Sequence, residues 1–161
     1  MKHKVKLSVF SIVETLIVLA MLAGLIWYFA DKDKEGILYV LSACVAAWCL
    51  LALYYAPMAV SVNEKNLCVH RNLEVKCIPL SEIESIKLCQ STMAERRICG
   101  SGGFCGYWGW FSERDLGKYF AYYGKASDCF FVILKDGRKY MLGCENPGEI
   151  VEAVERRIAV G

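Results

Sequence analysis

Two apolar runs decide what this chain can become. Residues 7–30 carry one charged side chain, Glu14, and residues 37–60 carry none. A hydrocarbon core of about 30 Å is crossed by about 20 helical residues, so either run is long enough to span a bilayer. The connector, 31–36, reads Asp-Lys-Asp-Lys-Glu-Gly and is too short to be a domain. The first 60 residues therefore read as an antiparallel transmembrane hairpin, with helices at about 7–30 and 37–60. Pro57 predicts that the second helix stops a residue or so before it, because proline disfavours helical geometry in the residue it follows. Trp27 and Tyr28 near the loop, and Tyr54 and Tyr55 near the far end, occupy interface-belt positions. Small residues four apart (Ala20 and Gly24, Ser42 and Ala46, Ala43 and Ala47) permit close helix approach, although such residues are common in membrane helices anyway. The first run is far longer than a signal-peptide core of about 7–15 residues, and no small-x-small site precedes Asp31, so it reads as an uncleaved anchor.

A hairpin puts both termini on one side. Lys2, Lys4, Lys6, Lys65, Arg71 and Lys76 flank the helices on that side, against Lys32 and Lys34 in the connector. The bias predicts that both termini lie in the cytoplasm. Cysteine use points the same way. Of 9 cysteines, Cys68, Cys77, Cys89, Cys99, Cys105, Cys129 and Cys144 follow residue 60, and an odd number scattered over strand-like segments suits reduced thiols. An exported disulfide-bonded domain is the rival and would leave one thiol over.

Beyond residue 60 the hydrophobic period falls to two. Leu73, Val75 and Cys77 alternate with Glu74 and Lys76, the pattern of a half-buried strand. Strands are expected near 59–62, 67–71, 73–78, 86–90, 96–99, 119–123, 129–135 and 138–143, with a helical turn at 79–84. Asp136-Gly137 reads as a tight hairpin turn. Residues 147–160 read as a closing helix: Asn146 at the N-cap, Pro147 at the first position, and Glu149 able to complete a capping box. Ile150, Val151, Val154 and Ile158 share its apolar face, and Glu152 and Arg156 pair on another.

Four stretches carry a resemblance. They are 100–111 (Gly-Ser-Gly-Gly-Phe-Cys-Gly-Tyr-Trp-Gly-Trp-Phe), 116–122 (Leu-Gly-Lys-Tyr-Phe-Ala-Tyr), 131–140 (Phe-Val-Ile-Leu-Lys-Asp-Gly-Arg-Lys-Tyr) and 146–149 (Asn-Pro-Gly-Glu). Over 57–160 the chain resembles the bacterial pleckstrin-homology (PH)-like domain, a family in which paired membrane helices often precede the domain. It departs from the family pattern at Gly124, where threonine is expected, and at Gly143-Cys144, where Ser-Pro is. The resemblance implies an α+β PH-like domain over 61–161, with about seven antiparallel strands forming a bent barrel capped by the C-terminal helix. It implies no chemistry, because fold does not fix function.

The residues themselves offer little chemistry. The glycines at 100–109 do not follow a phosphate-loop spacing and read instead as a wide hairpin or bulge. No C-x-x-C pair is present, and His3 and His70 have no visible triad partner, so neither a metal, a cofactor nor a catalytic residue is expected. His70 reads as pointing outward from its strand beside Arg71. The soluble part balances 14 Lys/Arg against 13 Asp/Glu, which argues against nucleic acid as a partner. Relatives of the fold bind phosphoinositides through a basic first hairpin. Here that hairpin is Asn63-Glu64-Lys65-Asn66, so no phosphoinositide site is expected.

Two features remain. Glu14 is a candidate intramembrane polar contact, with snorkelling to the interface as the plainer reading. Tyr107, Trp108, Trp110 and Phe111 lie among glycines and read either as core or as an exposed loop contacting lipid or a protein partner. The expected function is a non-enzymatic, membrane-anchored interaction or scaffold module, integral through two spans, that binds a protein partner or assembles as a homo-oligomer. The alternative is an accessory subunit of a transporter or membrane protease, with an OB-like soluble barrel and Glu14 inside the assembly. An enzyme using an unrecognised thiol is the weakest reading.

Overall fold

The computed structural model describes residues 1–30, 35–90 and 95–159. The first apolar run forms helix α1, Val9–Ala30. The second run divides: helix α2 is Glu35–Tyr55, and Pro57 then opens a strand, as the steric rule for proline requires. Val9–Tyr28 and Gly36–Tyr55, 20 residues each, are long and apolar enough to cross a membrane. Their large apolar side chains, among them Leu16, Met21, Val40 and Leu50, face outward. That is how helices look when their solvent is lipid.

Ten strands form two sheets among the described residues. The first is antiparallel, in the order β1 (Lys2–Lys4), β2 (Pro57–Val62), β3 (Asn66–Arg71) and β4 (Val75–Pro79). The second contains β5 (Ile83–Leu88), β6 (Arg96–Gly103), β7 (Gly106–Glu113), β8 (Gly117–Tyr123), β9 (Cys129–Leu134) and β10 (Lys139–Gly143), in the order β5-β9-β10-β8-β7-β6. β10 lies parallel to β8, with Met141 beside Ala121, so the sheet is mixed where an antiparallel one was expected.

The eight strand ranges expected from the sequence fall short of the ten observed at two places. Residues 2–4 read as a basic tail, yet they pair with β2 in the register Lys2↔Ser61, His3↔Val60 and Lys4↔Ala59. Lysine and histidine carry no apolar alternation, so nothing in the pattern marks an edge strand. Strand β7 was hidden by its glycines. Gly100 and Gly109 face each other across β6 and β7 at φ of 129° and 121°, and a Cβ on either would come within 2.7 Å of the other's Cα. Glycine here marks a close backbone approach inside a ladder rather than a loop.

Period two in the second sheet creates two cores. Tyr122, Phe130, Val132, Leu142 and Trp108 face the first sheet and the C-terminal helix α3, Pro147–Ile158. Tyr107, Phe111, Tyr119, Ala121, Tyr123 and Met141 fill the opposite face. In α3, Ile150, Val151, Ala153 and Val154 are buried, and Ile158 packs partly against the same core. Asn146 is the N-cap residue and Pro147 opens the helix, but the capping box does not form. Asn146 adopts the left-handed conformation at φ 51°, and its side-chain amide donates to Glu149 Oε1 at 3.4 Å rather than accepting a backbone N–H through Oδ1.

Cys68 and Cys77 require a correction. They stand directly opposite each other on β3 and β4, 4.0 Å apart at Cα, and are joined as a disulfide. The reading of every domain cysteine as a reduced thiol fails at this pair because the register aligns the two side chains. Cys89, Cys99, Cys105, Cys129 and Cys144 are free.

The helix assignment is testable. Val154→Asp buries a charge without a partner and should cost several kcal/mol, about the whole stability of a small domain. Glu155→Lys, on the exposed side, should change stability by no more than about 0.5 kcal/mol. Urea unfolding of the full chain in micelles reads both, and equal effects would mean the helix docks by another face.

Candidate functional site at the helix–sheet junction

Alternation along β7 separates the four aromatics. Tyr107 and Phe111 point into the second core, where Tyr107 stacks on Tyr123 at 4.7 Å and Phe111 on Tyr119 at 6.3 Å. Trp108 points the other way and stacks on Tyr55 of α2 at 5.3 Å, while its indole N–H donates to the Phe104 carbonyl at 3.2 Å. These three are buried. Trp110 is 40% exposed, edged by Phe120 at 5.2 Å and capped by the Lys118 ammonium 4.7 Å above its ring. The expected loop is thus a strand, and of its four aromatics Trp110 alone offers a large free surface.

Glu14 lies on the other side of the same hairpin. The β6–β7 turn abuts the first turns of α1: the Cys105 N–H donates to Thr15 Oγ1 at 2.9 Å, and Thr15 in turn donates to the Ser11 carbonyl at 2.7 Å. Glu14 packs against Gly103, where a Cβ would overlap its carboxylate. Oε2 of Glu14 is buried and makes no hydrogen bond. Beside it, α1, α2 and β6 line an open pocket of about 680 Å³ whose walls include Val18, Leu22, Cys44 and Trp48.

The segment before α1 is equally engaged. Val5 N–H donates to the Met58 carbonyl at 2.9 Å, Ser8 N–H to Gly124 at 2.9 Å, and Glu145 N–H to Lys4 at 2.8 Å. Lys6 pairs with Glu145 at 2.5 Å. Gly124 has no side chain because the Lys6 carbonyl occupies that space. The departure from the family's threonine at this position thus has a physical cause in this chain.

Sequence reasoning missed Arg71. Its side chain is 6% exposed, its guanidinium lies 4.7 Å from the Tyr54 ring and 5.8 Å from those of Tyr55 and Tyr122, and it pairs with Glu74 at 2.6 Å. The Tyr54 hydroxyl donates to the same carboxylate. That hydrogen bond, then the Arg71 charge, hold the Glu74 carboxyl below its usual range. A cation stacked on aromatic faces gains most when it is out of water, and this one ties α2 to the first sheet. His70 is half-buried rather than simply outward, with its ring 2.8 Å from the Ser61 hydroxyl.

Four of the domain's thiols give no support to nucleophilic chemistry. Burial pushes Cys144 up to about 12 and raises Cys89, Cys105 and Cys129 as well. A thiol so placed stays protonated and unreactive.

A paired apolar helix hairpin built onto two antiparallel-rich sheets and a closing helix defines a membrane-associated protein with a PH-like domain. The chain belongs to the bacterial PH domain family, whose profile matches residues 58–158. No curated protein and no solved structure matches it.

Three outcomes follow from this geometry. Gly109→Ala places a Cβ on the Cys99 backbone at a φ that side chains avoid, and should cost at least about 2 kcal/mol. Gly148→Ala, which meets nothing within 4 Å, should be neutral or slightly stabilising in the same unfolding assay. Burial, then the Lys2 ammonium, hold the His70 imidazole below its ordinary 6.5. The folded chain therefore binds fewer protons than the unfolded one, so this contribution is complete above that value and is lost as pH falls below it. His70→Gln should flatten the fall in Tm between about pH 7.5 and pH 5; an unchanged slope would assign the acid sensitivity elsewhere.

Proposed function

We propose that this protein is a non-enzymatic, membrane-anchored interaction module whose hairpin holds the PH-like domain against the cytoplasmic face of a bacterial plasma membrane, where it binds a protein partner or a second copy of itself. The observation that carries the reading is the junction. The domain is packed onto the helices through Trp108, Tyr55, Arg71 and the segment before α1, so it is presented in a fixed orientation rather than on a tether. Trp110, the exposed aromatic of the hairpin, is the candidate contact, since exposed tryptophan is enriched at interface hot spots. An accessory-subunit role is the second reading, favoured by a glutamate inside an otherwise apolar span.

Six Lys/Arg against two support the cytoplasmic orientation. The Cys68–Cys77 disulfide is the observation on the other side, because disulfides persist in oxidising compartments. Glu152→Cys places a thiol on the exposed face of α3 and decides between them. An impermeant maleimide should label it only after the cells are permeabilised, and labelling of intact cells would put the domain outside. Trp110→Ala should lower recovery of the crosslinked complex about tenfold while destabilising the chain less than Trp108→Ala does. Undiminished recovery would remove Trp110 from the interface.

A further inference from the structure

Helix α2 ends against a turn of the domain. In an α-helix the carbonyl of residue 53 would accept from the N–H of residue 57, but Pro57 has none. The Leu53 carbonyl is therefore left over in the last turn of the second candidate span, Gly36–Tyr55. Asn72, in the turn between β3 and β4, supplies the missing donor: its Nδ2 donates to the Leu53 carbonyl at 3.1 Å. Glu74, two residues on, is tied to the same turn of helix, because the Tyr54 hydroxyl donates to its carboxylate. Between these two ties stands Leu73, 69% exposed. Val75 is exposed as well, and so are Leu50, Leu51 and Leu53 at the end of α2.

We propose that the β3–β4 turn is a membrane-inserting element, with Asn72 fixing its level on α2 and Leu73 entering the headgroup–acyl boundary of the bilayer. Insertion presupposes that α2 is a membrane span: Leu53 cannot face lipid without carrying the turn hydrogen-bonded to it to the same level. Water is scarce at that depth, so Asn72 stands in for the donor that Pro57 lacks. The polar neighbours of Leu73 suit the boundary rather than the hydrocarbon. Glu74 is paired with Arg71 at 2.6 Å, and interfacial elements bury their apolar side about 5–10 Å into the headgroup–acyl region. The opposite turn of the same sheet lies well away. β2 leaves the end of α2 at Pro57, and its six residues carry the 63–66 turn about 20 Å off at about 3.3 Å per residue. A protein occupant fits poorly, since Leu73 and Val75 are two side chains against the roughly 800 Å² per partner that a stable interface buries. The role is separate from that of Trp110 and holds whether or not Trp110 contacts a partner.

The test uses the full chain in nanodiscs of phosphatidylcholine, with and without bromine near the top of the acyl chains, and reads tryptophan fluorescence. Trp27 and Trp48 lie within the candidate spans, so bromine should quench the wild type. An unquenched wild type would overturn the spans and the insertion together. Emission added by Leu73→Trp should be quenched by bromine at least about threefold more strongly than emission added by Glu64→Trp in the opposite turn, and aqueous iodide should give the reverse order. With the wild type quenched, equal bromine quenching at the two positions overturns the insertion alone. Protection of the tryptophan at 73 from both quenchers marks contact with a second copy of the chain and also overturns it. Asn72→Asp keeps the shape and removes the donor, so it should at least about halve bromine quenching of Leu73→Trp, and unchanged quenching overturns the anchoring by Asn72. If Leu73→Trp does not fold, the wild type still decides. A phosphatidylcholine with a photoreactive acyl chain must leave adducts on the peptide carrying Leu73, and adducts confined to α1 and α2 overturn the insertion.

Discussion

The N-terminal segment and the start of α1 come so close to the second sheet that side chains would not fit between them. Gly103 abuts the Glu14 carboxylate, Gly106 lies near Leu7, and Gly124 abuts the backbone of Lys6. Those approaches put backbone donors within reach of partners on the far side: Ser8 of Gly124, Cys105 of Thr15, Glu145 of Lys4. Buried backbone groups must be paired, so each contact removes a cost that the apolar surroundings would otherwise impose. The rest of the architecture depends on this approach. It brings Lys2–Lys4 onto β2, orients α1 across β6 and shapes the open pocket beside Glu14.

The second helix is tied in by different chemistry. Ala52 and Ala56 are small enough to be buried against the domain, and Tyr55 lies flat on Trp108. Arg71 then joins the aromatic end of α2 to β3 and Glu74. A long cation is well suited here, since its stem packs while its head finds aromatic faces and a carboxylate. Both helices therefore hold the domain, one through backbone proximity and the other through an aromatic and cationic joint. This is why the module reads as a fixed platform at the membrane surface.

The helices, the strand-rich domain and the final helix were legible because each rests on a local signal: apolar length, period two, and Asn-Pro before an amphipathic stretch. The junction was not, because its signals are non-local. Lys2, His3 and Lys4 become a strand only because β2 offers an edge. The glycines from 100 to 109 look like a loop until the close pairing of Gly100 with Gly109 is seen. Cys68 and Cys77 are nine residues apart, and only the β3–β4 register makes them a pair. Trp108 and Trp110 share a face of β7, yet one is covered by Tyr55 and the other stays exposed, a difference set by where α2 ends. Glu14 was legible as an anomaly, and its neighbour Gly103 was not.

Amide hydrogen exchange over residues 2–8, followed by mass spectrometry on the full chain in nanodiscs, tests the junction most directly. These residues should exchange as slowly as β2, because Val5 and Ser8 donate to Met58 and Gly124, and Lys2–Lys4 pair with β2. Exchange at the rate of an unstructured tail, with β2 still protected, would contradict the account and leave the domain hanging from its helices.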